Sequence, residues 1–432
     1  MYNFNFFTMK HNHASKILIT FLVLFQFLLN GQELEKTLPE EVGVSSERIN
    51  NLTNVLQEYV NESKISGAVA LIVRKNKIIY FNSVGMSDFE NNKVMEKDAI
   101  FRIASQTKAI VSAGIMILQE EGKLLISDPL WNYIPEFKET KVAVPNEVGG
   151  YEIVKANRAI TLRDLLTHTA GIGYGGGVAA DLWKEAKIQG WYFADRNEPI
   201  LETVKRMGSL PFDAQPGEQF VYGYSTDILG AVIEVVSGQT LASFLQDQIL
   251  DPLDMKDTYF YLPENKKNRL ATVYSSGKDG IERTLKKGTM VSQGAYVEGP
   301  KMSYSGGAGL LSTAMDYAKF LQMTLNGGTY SGKRILSRKS IELMTTNHLD
   351  KASFDKGDGT GFGLGFSVLQ NLGLRGQMGS VGEYGWGGAY HSTYWVDPQE
   401  ELVVVYFTQL IPAQNIDDHG KLRVQVYQAI ID

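Results

Sequence analysis

Three serines in this chain are followed three residues later by a lysine: Ser105 and Lys108, Ser275 and Lys278, Ser353 and Lys356. A serine hydroxyl beside a basic partner is a nucleophile for acyl transfer, so each pair is a candidate for covalent catalysis. The spacing is a weak signal by itself, and the surroundings separate the three. Ser275 and Ser353 lie in polar, turn-like stretches (SSGKDG and SFDKGDGTG), whereas Ser105 opens the long apolar run SQTKAIVSAGIMILQ. On a helix this separation puts Ser105 and Lys108 on one face, about 5–6 Å apart at Cβ. The N-terminus of that helix adds positive potential that favours a developing alkoxide. A lysine of ordinary pKa, about 10.4, is a poor base, but burial among polar groups can lower it or make it a proton relay. The alternative is an N-cap serine followed by a solvated lysine.

A second constellation follows the Pro216-Gly217 turn, in EQFVYGYSTDILGAVIEVVSG. Tyr222 and Tyr224 lie on the approach to an apolar helix that Ser225 or Asp227 could cap. A tyrosine held near a lysine can ionise in part and take the serine proton as general base. The residues alone do not separate Tyr222 from Tyr224 in that role, and a packed core aromatic is the alternative for either. A third constellation is Gly385-Trp386-Gly387-Gly388-Ala389-Tyr390, read as the entry to a strand that runs from Gly388 to Val396. Paired glycines at a strand start let the backbone approach a ligand closely. A backbone N–H there, matched with that of the serine, could form an oxyanion hole worth ~3–4 kcal/mol. A β-bulge with a packed tryptophan is the alternative.

Composition removes several rival chemistries. The chain has no cysteine, which excludes disulfides, cysteine-based zinc sites and a cysteine nucleophile. Its six histidines show no HExxH spacing, so neither a metal nor any other cofactor is expected. A net charge of −6 gives no footprint for nucleic acid, and the expected partner is a small molecule with an ester or amide bond. No GxSxG nucleophile elbow occurs, which argues against an α/β-hydrolase. The stretch GGTYSGK, residues 327–333, nearly matches a P-loop, but Arg334 stands where Ser or Thr is required.

The elements that must position these residues can be read from periodicity. Glu47–Asn61 has apolar residues at helical spacing after Ser45 and Ser46. GAVALIVR (67–74) and KIIYFNSVG (77–85) read as strands joined by a Lys75-Asn76 turn. From about 101 to 344 the pattern is mostly helical, interrupted by Gly-rich or charged excursions at 171–200 and 264–300. After 345 it returns to strands (GLGFSVL, the 388–396 run and LVVVYFTQ) with a final helix after Leu422. The economical architecture is an α/β fold of the α+β kind. An antiparallel sheet built from about 40–100 and 345–432 is flanked by helices, with an all-helical lobe at about 101–344 beside it. The site then lies in the cleft between them. Residues 1–31 read as a signal peptide: Lys10 and Lys16 precede the apolar run Ile17–Leu29, too short for the about 20 residues a membrane span needs. The domain is then 32–432, periplasmic or secreted, with an uncleaved N-terminal anchor as the alternative.

Taken together the phrases FRIASQTK, LLTHTAGI, PGEQFVYGYSTDILGAVIE, GGAGLLSTAMDYAKFL, GKRILS and GWGGAYHSTYWVDP resemble the serine β-lactamase and penicillin-binding-protein superfamily. The branch is the class C β-lactamase-related one, which includes carboxylesterases. The resemblance implies Ser105 as nucleophile and Lys108 as its partner. It favours Tyr222 over Tyr224 as base, and an oxyanion hole from the N–H groups of Ser105 and Ala389. It puts Tyr224, Trp386, Gly387, Gly388 and Tyr390 along the substrate. Two departures bear on specificity. Tyr224 stands where β-lactamases carry an Asn, and Trp386 where they carry a cation for the substrate carboxylate. These point to a carboxylesterase-type enzyme, with β-lactamase, D-amino-acid peptidase or amidase, or non-catalytic penicillin-binding sensor as alternatives. His391 is a possible substitute cation; if Trp386 faces the cleft, strict strand alternation turns Tyr390 inward and His391 outward, so His391, like His168 in LLTHTAG, is read as structural.

Overall fold

The β-branched runs seen in the sequence meet in one sheet. In the computed structural model, which describes residues 33–286, 289–349 and 358–432, that sheet has nine strands. Residues 1–31 and the Ser353/Lys356 pair lie outside the described residues. We number the principal strands β1 (Glu35–Lys36), β2 (Gly67–Arg74), β3 (Lys77–Asp88), β4 (Thr360–Phe362), β5 (Ser367–Leu369), β6 (Tyr384–Gly388), β7 (Ser392–Asp397) and β8 (Leu402–Phe407). Their order is β1-β3-β2-β8-β7-β6-β5-β4, with Lys93–Val94 added to β3. Every pair is antiparallel except β1 with β3. The N- and C-terminal parts join at β2 and β8, where Val69 faces Phe407 and Arg74 faces Leu402.

Both faces of the central strands are covered, which is why they read as continuous apolar runs. Ala68, Ala70 and Ile72 pack with Leu402, Val404 and Tyr406 under helices α1 (Ser46–Asn61) and α5 (Asp418–Tyr427). Val69, Leu71 and Val73 pack with Val403, Val405 and Phe407 on the opposite face. That larger core includes α2 (Thr107–Glu120), α3 (Ser225–Ser237) and α4 (Ala314–Leu325). Ser45 caps α1: its Oγ accepts the N–H of Arg48 at 3.3 Å. Lys75 and Asn76 both take positive φ, 48° and 61°, the geometry a two-residue hairpin turn requires.

Three expectations need correction. The segment between the two halves of the sheet is not all helix. It holds a three-stranded sheet (Lys141–Pro145, Tyr151–Lys155, Pro211–Phe212) and a hairpin (Tyr274–Gly277, Gly280–Arg283). Their strands are short and partly exposed, so no apolar period announces them. The run from Gly388 to Val396 is not one strand, because Ala389, Tyr390 and His391 form the turn between β6 and β7. The last helix starts at Asp418, four residues before Leu422.

Candidate functional site

The site is built where α2 begins. Residues 104–106 form a single 3₁₀ turn, and only Ser105 of that turn is partly exposed. Ala104 carries a φ of 43°, a conformation that costs an alanine about 1–3 kcal/mol and must be held by its surroundings. The hold is visible: the Ile103 N–H donates to Leu310 O at 3.1 Å, and the Leu310 N–H donates to Thr107 Oγ1 at 3.0 Å. Tyr317 donates to Gln106 O at 2.9 Å from beneath.

Lys108, the second residue of α2, is 1% exposed. Its Nζ donates to Gly307 O at 2.8 Å, to Tyr174 Oη at 3.2 Å and to Ser105 Oγ at 3.3 Å. It also lies 4.6 Å from the centre of the Tyr222 ring. Burial works to lower the pKa of this ammonium, but the negative potential of Tyr174, Tyr222 and Asp227 outweighs it, and Lys108 is held above its ordinary range. With its ammonium form favoured, Lys108 serves as a counter-charge for a base more readily than as the base itself. The same charge, after burial, keeps the fully buried His168 imidazole neutral far below its usual pKa. His168 packs against Tyr222, ring centroids 4.6 Å apart, and against Phe220 and Phe362.

Tyr222 sits on the loop before α3 and is partly exposed. Its hydroxyl oxygen accepts the indole N–H of Trp386 at 3.0 Å, and the two rings lie 5.5 Å apart. Trp386, at the middle of β6, therefore touches the tyrosine directly, and its ring abuts Phe362 at 5.2 Å. Neither Ser225 nor Asp227 caps α3, whose first turn has no side-chain cap. Asp227 instead accepts Ser305 Oγ–H at 2.6 Å and the Gly307 N–H at 3.0 Å. It thereby fixes the carbonyl that holds Lys108.

Tyr174 was not singled out by sequence, yet it contacts Lys108 and stands edge-on to Tyr222 at 5.9 Å. The signal available was the run Gly171-Ile172-Gly173-Tyr174-Gly175-Gly176-Gly177, where one large side chain is framed by residues that let the backbone approach closely. Burial raises the Tyr174 phenol above its usual range.

Two residues expected along the substrate are elsewhere. Tyr224 is fully buried between Trp183, Phe193 and Tyr174, and its hydroxyl donates to Gly190 O at 2.8 Å. Tyr390 is also fully buried, edge-on to Trp191 at 5.7 Å and packed with Ala104, Val273, Ala308 and Ile411. Ala389 is exposed at that turn, and Gly387 and Gly388 are partly exposed. Gly388 lies so close to the Ser105 turn that a Cβ there would be 2.6 Å from Ile103 O. Ala389 is thus carried towards Ser105 by a glycine contact. His391 points to α5, where its Nε2 pairs with Asp418 Oδ1 at 2.7 Å and its ring stacks on His419. The ligand atoms of these three residues lie within 4.8 Å of one another. The two imidazoles are only 14° from parallel, so their in-plane lone pairs run side by side and do not converge on one ion. Ser275 sits on the Tyr274–Arg283 hairpin, its hydroxyl 3.4 Å from Glu282 O.

The family model described as Beta-lactamase matches residues 52–426. The chain belongs to this β-lactamase family. It is 32% identical over 374 residues to Protein Rv1367c of Mycobacterium tuberculosis, covering 84% of this chain and 90% of that one. It is 30% identical over 376 residues to Esterase EstB of Burkholderia gladioli, covering 83% and 89%. Among solved structures, EstCE1, described as a hydrolase with promiscuous acyltransferase activity, superposes with a TM-score of 0.75 at 26% identity, covering 88% of this chain and 99% of that one. The mixed α/β fold is that of the β-lactamase family, and the protein is a serine hydrolase of that family.

Proposed function

We propose that this β-lactamase-family protein is an exported carboxylesterase that forms an acyl-enzyme on Ser105. One observation carries the catalytic assignment: a buried, charged Lys108 joins the hydroxyl of Ser105 to Tyr174 and the face of Tyr222. Tyr222 acts as the general base, with the Lys108 ammonium over its ring and the Trp386 N–H on its hydroxyl. Ser105 Oγ attacks the ester carbonyl carbon while its proton passes to Tyr222, and the N–H groups of Ser105 and Ala389 receive the oxyanion. The C–O bond to the alcohol then breaks, and the alcohol leaves with the proton from Tyr222. Water repeats the sequence on the acyl-enzyme, returning a proton to Ser105 and releasing the acid.

The preference for an ester rests on Trp386. A β-lactam or a D-Ala-D-Ala peptide brings a carboxylate, and a desolvated carboxylate without a cation costs several kcal/mol. The indole supplies no charge, and its N–H is already engaged by Tyr222. A short uncharged ester needs no such contact. The names of EstB and EstCE1 support the same direction. The measurement is a side-by-side assay of p-nitrophenyl esters, D-amino-acid amides and a chromogenic cephalosporin. Short esters are expected to turn over best, and cephalosporin turnover matching the best ester overturns the preference. A fluorophosphonate is expected to label Ser105, and Ser105→Ala to lose both label and turnover; label on Ser275 or Ser353 with Ser105 untouched overturns the nucleophile. A single acylation without turnover would mark a sensor instead. Export is tested by the N-terminus of the mature protein, expected near Gly31.

A further inference from the structure

A cavity of about 500 Å³ opens against Tyr174 and Tyr222. Its other walls are Trp191, Met290, Asp213 and the glycines of the 173–177 loop. Among the described residues that line it, Asp213 is the sole charged side chain. The carboxylate is partly buried, and burial raises its pKa although the Gly173 N–H donates to it. It forms no ion pair among the described residues. A Cβ on either Gly173 or Gly177 would strike it, so the loop closes over the carboxylate with glycine where any other residue would displace it. Three aromatic rings line the same cavity. Tyr174 and Tyr222 stand nearly perpendicular, at 78°, and the Trp191 indole is braced edge-on by Tyr390. A carboxylate with no ion pair among the described residues, in a cavity with aromatic walls, is the chemistry that recognises an ammonium group.

The geometry points to an ammonium subsite beside Tyr222. Among the short esters it cleaves, one with a cationic nitrogen, primary to quaternary, seats that nitrogen against Trp191, the two tyrosines and Asp213. This rests on the esterase reading for its use in catalysis, but the binding needs no turnover.

The test is binding of choline and of 3,3-dimethylbutanol, its uncharged isostere, to the intact protein by calorimetry and tryptophan fluorescence. Choline is expected to bind about tenfold tighter, the effect of one partly desolvated cation–π and ionic contact. Asp213→Asn keeps the size of the side chain and an acceptor for the Gly173 N–H while removing the charge, so a loop anchor survives it and an ammonium site does not. The choline preference is expected to fall towards one in this variant, and to fall as well in Trp191→Leu, which serves should the first not fold. Equal binding of the two ligands to wild type, or a preference unchanged in both variants, overturns the subsite. Ester turnover without choline preference removes the subsite and keeps the esterase; choline preference without ester turnover does the reverse.

Discussion

Two tyrosines two residues apart have separable jobs, and the separation is measurable. Tyr222 meets Lys108 and Trp386 at the partly exposed edge of the site, whereas Tyr224 is a core residue whose hydroxyl satisfies Gly190 O. Tyr222→Phe is expected to lower kcat by orders of magnitude with little change in melting temperature. Tyr224→Phe leaves a buried carbonyl unpaired, at a cost of about 1–3 kcal/mol. It should lower the melting temperature while kcat stays within a small factor. Exchange of these two phenotypes would show the base to be misassigned. Trp386→Phe keeps the ring and removes one N–H. Since a hydrogen bond contributes about 0.5–1.5 kcal/mol, kcat/KM should fall several-fold while the melting temperature changes little. An unchanged kcat/KM would mean the indole only packs. Much of this was legible in the residues. Ser105 and Lys108 stood out because an apolar helix followed them, and Tyr222 stood out beside Tyr224. What the sequence could not separate was which tyrosine faces the lysine. That depends on how the 174 loop and Trp183 enclose Tyr224, contacts made across 34 to 50 residues of chain.

At the scale of elements, α5 is fastened to the sheet by polar contacts in an apolar setting. Asp418 receives Tyr406 Oη–H at 2.7 Å and pairs with His391, whose ring stacks on His419. Burial, followed by the neighbouring His391, pushes His419 down to about 4 from 6.5, with Asp418 opposing. The Asp418 carboxyl is itself held low: burial raises it, but the His391 bond and the charges of both histidines outweigh that. Below pH 6.5 the unfolded chain protonates His419 while the folded chain refuses the proton until about pH 4. The stabilisation is therefore complete above pH 6.5 and is lost as the pH falls through that window. Urea midpoints measured between pH 7 and pH 4 should decline, and His419→Gln should flatten the decline. A wild-type midpoint level over that range would refute the assignment. The helix itself was expected only from Leu422, since its first turn, with Asp418 buried and His419 on a polar cluster, carries no apolar period. The β6–β7 hairpin was missed for a related reason. Ala389-Tyr390-His391 has none of the usual turn residues, and His391 takes a φ of 61° because Asp418 secures its ring.

For the whole molecule, the fold class was legible because β2 and β8 are unbroken apolar runs, and a strand buried on both faces needs no other signature. The pairing itself has a temporal consequence. Thr408 Oγ–H reaches Gly67 O across 341 residues, and β2 finds its second neighbour only in β8. While the chain is being made, the β2–β3 hairpin must wait with one edge bare and both faces uncovered until residues 402–407 exist. Removing residues 402–432 should accordingly leave no cooperative unfolding transition by calorimetry or circular dichroism; a truncated protein that still melts sharply would contradict this. Until β8 exists the apolar faces of β2 and β3 are bare, the kind of surface a holding chaperone covers. The same delay keeps the protein threadable, so a chain that closes its central sheet last can be drawn through a narrow channel before it has any shape to lose.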